Sequence, residues 1–76
     1  MINTNNLGKR IATARKSAGL TQGALALKVG VTAQAVSKWE RGCACPDIAI
    51  LDEIADALGI SLFELLGMEN SAKSSS

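Results

Sequence analysis

An all-α fold of five short helices is what this sequence of 76 residues predicts, and three observations carry that reading. Five of the seven glycines, Gly19, Gly30, Gly42, Gly59 and Gly67, each close a stretch whose apolar residues recur three and four apart. That spacing marks one face of a helix, and glycine is the usual residue where the chain then turns through positive φ. Hydroxyl residues stand where N-caps belong, at Thr21, Thr32 and Ser61, each able to accept from an unpaired first-turn amide. The chain suffices for one small domain with a modest core, and with Trp39 and Phe63 as its only aromatic residues that core must be aliphatic.

In chain order, the first helix is expected from about Asn5 to Ala18. Leu7, Ile11, Ala14 and Ala18 form its apolar stripe, with Lys9, Arg10 and Lys16 outside. Thr21 to Gly42 reads as two short helices joined by a tight turn at Gly30. Leu25, Ala26 and Val29 are apolar before the turn, Val36 and Trp39 after it, which is the layout of a helix-turn-helix. Gly23 lies inside the first of these helices, where it should cost about 1 kcal/mol relative to alanine. Pro46 and Asp47 mark the start of a fourth helix, with a stripe of Ile48, Leu51, Ile54, Ala55 and Leu58 and with Ile50 off it. Ser61 and Glu64 fit the S-x-x-E capping box of a short fifth helix. Its Leu62, Phe63, Leu65 and Leu66 either complete the core or are offered, with Met68, to a second subunit. The domain is expected over residues 1–68, with 69–76, ENSAKSSS, a disordered tail for want of apolar periodicity.

The helix expected from Thr32 to Arg41 is the one free to face a partner. At about 100° per residue, Ala33, Gln34, Ser37, Lys38 and Arg41 share one arc, and Val36 and Trp39 lie opposite. An amide can bond adenine bidentately, a cation can reach guanine acceptors and a methyl group can touch thymine. On the arc alone, a solvated helix face is an equal reading.

The runs GLTQ, L-A-x-K-V-G-V-T and V-S-K-W-E-R-G resemble the DNA-binding domain of the Cro/C1-type phage repressors and the related xenobiotic-response-element regulators. The similarity spans about Leu7 to Leu66. It implies a compact five-helix bundle of the lambda-repressor kind, with Ala33, Gln34, Ser37 and Lys38 facing base edges and Arg41 meeting phosphate. It also implies that Gln22 bonds the DNA backbone and braces Gln34, the alternative being a tolerated first-turn residue. Glu40 is paired in that family with an arginine of the first helix, here Arg15, which is also placed near phosphate; two unrelated surface charges are the other possibility. Two departures stand out. Ala33 replaces a longer polar residue, and Leu27 occupies a position normally polar.

Charge divides along the chain. Residues 1–42 hold seven cations against Glu40, or +6, and residues 43–76 hold six acids against Lys73, or −5. Such a split suits a protein that turns one face to phosphate. No apolar run approaches a membrane span, and the N-terminus lacks the apolar core of a secretory signal, so the expected address is the cytosol. Cys43 and Cys45 lie in GCACP. A zinc site would need about four ligands, and the chain has no His and no further Cys. A disulfide across one residue would be strained, so two free thiols are expected, and no metal or cofactor. Without these, an enzyme is not expected, and no small-molecule ligand is evident. The reading is a double-stranded-DNA-binding regulator, a repressor, acting as a homodimer on an inverted repeat. The alternative is an interaction or antitoxin-like module that keeps the fold.

Overall fold

The structure, a computed structural model, describes residues 4–67, and side-chain surroundings from residue 6 onward. Met68 and the tail expected over 69–76 lie outside the described residues. Among those described, five helices form and no strand: α1 (Thr4–Ser17), α2 (Gln22–Val29), α3 (Ala33–Glu40), α4 (Ile48–Leu58) and α5 (Leu62–Leu66). Each of α2 to α5 is opened by a side chain accepting from the amide three residues on. Thr21 accepts from Ala24, Thr32 from Ala35, Asp47 from Ile50 and Ser61 from Glu64.

One aliphatic core joins all five helices. Leu7 and Ile11 of α1 meet Leu25, Ala26 and Val29 of α2, Val36 and Trp39 of α3, Leu51, Ile54, Ala55 and Leu58 of α4, and Leu65 of α5. Two expected stripe positions fall outside it. Ala18 is exposed and beyond α1, because Gly19 turns the chain at φ 75 and brings Leu20 back over the core instead. The deepest charged side chain of α1 is Arg15, 9% exposed. Ile48, the first residue of α4, is 64% exposed. Ile50, expected off the stripe, is half-buried against the core.

α1 crosses the C-terminal end of α3 at Gly8. A Cβ there would stand 2.2 Å from the Trp39 carbonyl oxygen and 2.9 Å from that of Glu40, well inside van der Waals contact. Only glycine lets the two backbones approach this closely. The crossing fixes α3 against α1 from behind and leaves its opposite face outward.

Candidate nucleic-acid interface

α2 and α3 are joined by the turn at Gly30, whose φ of 84 and ψ of 32 place it in the left-handed region. The amides of Gly30 and Val31 both donate to the Ala26 carbonyl, at 2.8 and 3.0 Å, closing α2 before Thr32 opens α3. The far end of α3 is closed by two amides on two carbonyls: Gly42 donates to Trp39 and Cys43 to Lys38, at 3.1 and 2.9 Å. These bonds are the two halves of a Schellman motif. α3 is therefore held at both ends by its own sequence.

Burial divides α3 sharply. Val36 and Trp39 are buried and Ala35 is half-buried, whereas Ala33, Gln34 and Lys38 are exposed and Ser37 is half-exposed between them. Arg41 is exposed at the end of the helix, its Nε 3.3 Å from both the carbonyl and the Oγ of Ser37. A polar arc of an amide, a hydroxyl and two cations thus faces solvent from a helix anchored by aliphatic packing.

Behind that arc lies a network centred on Glu40. Its Oε2 accepts from Arg15 Nε at 2.6 Å, and its Oε1 accepts from Arg15 Nη2 and Gln22 Nε2, each at 3.0 Å. Arg15 Nη1 donates to the Leu20 carbonyl at 2.9 Å. Four bonds thereby tie α1, the turn after it, the first turn of α2 and the last turn of α3. The two charged side chains are only 10% and 8% exposed. Burial works to raise the Glu40 carboxyl, but the hydrogen bonds from Arg15 and Gln22 and the charges of Arg15 and Lys16 outweigh it. The carboxyl is held below its ordinary range. The hydrogen bond to Glu40 raises the Arg15 guanidinium, against the opposing effect of its own burial.

Gln22 does not brace Gln34 in this structure. A carboxylate is the stronger acceptor, and Glu40 lies within reach of the Gln22 amide nitrogen. One N–H of that amide remains uncommitted by the Glu40 bond. Arg15 is enclosed, with three of its five N–H donors already used within the fold.

The charge division by chain position does not translate into one basic face. Lys9 and Arg10 flank a groove of about 450 Å³ between α1 and α5, with Glu64 across it. Lys28 lines a hollow of about 320 Å³ with Glu53 and Asp56 of α4. Helical periodicity distributes consecutive cations around the domain, so Lys38 and Arg41 are the basic residues on the outer arc itself. Sequence reasoning gave no role to Gly8, which seats α1 against α3, to the Leu20 carbonyl, which accepts from Arg15, or to Lys16, whose charge helps lower the Glu40 carboxyl. A glycine within a helical pattern was a usable signal for Gly8, while nothing local marks the Leu20 carbonyl as a ligand for Arg15.

No described helix is long and apolar enough to cross a membrane. A helix-turn-helix family model matches residues 11–65. The HTH-type transcriptional regulator YazB of Bacillus subtilis is 40% identical over 58 residues, covering 76% of this chain and 84% of YazB. The cryptic phage CTXphi transcriptional repressor RstR of Vibrio cholerae is 39% identical over 59 residues, covering 78% of this chain. The chain spans 53% of RstR's length. Among solved structures, the P22 c2 repressor in complex with a synthetic operator is 37% identical with a TM-score of 0.76, covering 82% of this chain and 94% of the repressor chain.

Proposed function

The chain belongs to the Cro/C1-type helix-turn-helix family, and on that premise we propose that it is a sequence-specific, double-stranded-DNA-binding transcriptional regulator, a repressor, that inserts α3 into the major groove. The observation that carries the reading is the outer arc of α3, where Ala33, Gln34 and Lys38 are exposed and Ser37 half-exposed while Val36 and Trp39 opposite are buried. Gln34 pairs with adenine, Lys38 reaches guanine, Ala33 touches a thymine methyl and Ser37 lends its hydroxyl, each through major-groove edges. Gln22 and Arg41 meet phosphate and set the register without reading sequence. Arg15 works behind them, holding Gln22 in place through Glu40.

In this reading the functional unit is a homodimer on an inverted repeat, its recognition helices about 34 Å apart. Phe63, 64% exposed on α5, supplies apolar surface for that contact. The working compartment is the cytoplasm. The domain carries out no catalysis in this reading and needs no cofactor.

Leu27, 84% exposed on α2, and the exposed Ile48 favour a second reading, a protein-binding module with little base selectivity. Selection of bound sites from a random duplex library separates the two. An enriched inverted repeat with half-sites about one helical turn apart supports the regulator. Salt-sensitive binding with no enriched sequence supports the module.

A further inference from the structure

Ser37 and Arg41 stand one turn apart on the outer arc of α3, and a hydrogen bond joins them. The Arg41 Nε–H is shared between the Ser37 carbonyl and the Ser37 Oγ, each 3.3 Å away. The same carbonyl accepts from the Arg41 amide at 3.0 Å, so the backbone seats the arginine where its Nε meets the hydroxyl. Shared donors of this kind are common at helix ends. A helical serine can instead turn its own O–H back to the carbonyl four residues earlier, here that of Ala33. Among the described residues the Ser37 hydroxyl makes one bond, the one it accepts from Arg41, and its O–H donates to no protein group.

That bond sorts what the hydroxyl can do. A serine oxygen carries one donor and two lone pairs, and by itself it reads base donors and acceptors alike. With Nε on one lone pair, the O–H is the group left to face a base. Seating α3 in the groove displaces the water that would otherwise satisfy it. An O–H that then meets another donor stays unpaired, which costs more than a well-made bond contributes. Against a base acceptor the bonds run one way, from guanidinium to hydroxyl to base, and each polarises the next. The Nη N–H groups of Arg41 remain for phosphate.

Resting on the DNA-binding reading, we infer that Arg41 sets the direction in which Ser37 reads, making Ser37 a donor that rejects cytosine. On the strand it faces, guanine offers N7 and O6, adenine N7 and thymine O4, all acceptors. Cytosine offers the N4 amine, a donor. Arg41 is thereby a positioning residue for base readout as well as a phosphate contact. Released from Nε, the hydroxyl is free to donate to the Ala33 carbonyl and accept from the cytosine amine, and the rejection disappears.

The test measures affinity for all four bases at each position of a selected half-site, at fixed salt, for the parent, Ser37→Ala, Arg41→Lys and Arg41→Ala. At one position the parent should bind cytosine about tenfold more weakly than the other three bases, and Ser37→Ala should abolish that preference. Arg41→Lys keeps the charge and lacks Nε. Both Arg41 variants should bind every site more weakly, so the readout is the ratio between bases within each protein. In both, the cytosine penalty should shrink to about twofold or less, with preferences at the other positions as in the parent. A cytosine penalty that survives both Arg41 variants, a preference for cytosine at the Ser37 position, or a Ser37→Ala profile equal to the parent's would overturn the inference. A second arm follows exchange of the Arg41 Nε–H by NMR in the free protein. Ser37→Ala should speed it at least about twofold, since the carbonyl is then its remaining acceptor, and an unchanged rate would overturn the link between the two side chains. If the parent selects no duplex, the DNA-binding reading fails, while the exchange arm still decides whether Ser37 holds Arg41.

Discussion

Replacing Glu40 by alanine should remove more stability than any other single polar change on this surface. The substitution deletes three of the four hydrogen bonds in the network and leaves Arg15, 9% exposed, with the Leu20 carbonyl as its remaining partner. Breaking a buried pair by removing one member costs about 3–5 kcal/mol, because an uncompensated charge stays behind. Arg15 retains one good acceptor and some access to water, which places the expected loss at the lower end, about 3 kcal/mol. For a domain of this size each kcal/mol moves Tm by about 4–8 °C, so the variant should melt about 12–24 °C below the parent. Urea denaturation should show a lowered midpoint with an unchanged slope. The Arg15→Met and Glu40→Leu double variant should recover most of the loss, since apolar replacement of a whole buried pair is often neutral. A Glu40→Ala loss below about 1 kcal/mol, the value of an exposed pair, would refute the network, as would strict additivity in the double-mutant cycle.

The same network fixes a pH dependence. Because the folded Glu40 carboxyl lies below its ordinary value near 4.5, the unfolded chain binds the proton more readily. The contribution is therefore complete above that pH and declines as pH falls through it. Parent and Glu40→Gln stabilities should accordingly converge on acidification, and a difference that stays constant from pH 7 to about pH 3 would contradict the assignment. Gly8→Ala should destabilise by about 1–3 kcal/mol through overpacking against the α3 carbonyls, and an unshifted thermal transition would show that the α1–α3 crossing yields freely. Gly23→Ala should instead stabilise by about 0.4–1 kcal/mol, since the added Cβ meets only the Thr21 Oγ at 3.9 Å; a lower Tm would show that position 23 needs glycine.

Much of the fold was legible because its signals are local. Thr21, Thr32, Asp47 and Ser61 each cap a helix through an amide three residues away, and the five glycines at positive φ sit where apolar periodicity stops. Pattern also placed Val36 and Trp39 inward and Gln34 and Lys38 outward, because a helix face follows from spacing alone. What stayed hidden depends on which segments meet. Ala18 and Leu20 both fit a stripe, and only the turn at Gly19 decides between them. Gln22 has two acceptor candidates, and the proximity of a carboxylate on α3, rather than anything in its own helix, selects Glu40 over Gln34. Lys9, Arg10 and Lys28 counted toward a basic half of the chain, yet the helices carry them to a groove and to an acidic neighbour.

The central claim is that Gln34 reads a base from the outer face of α3. Its most direct test is the affinity of the parent and of Gln34→Ala for every single-base variant of a selected half-site at fixed salt. The parent should lose about 1–3 kcal/mol when one adenine is replaced, and Gln34→Ala should be nearly indifferent at that position while keeping its preferences elsewhere. An identical preference profile for the two proteins would show that α3 does not read sequence through Gln34.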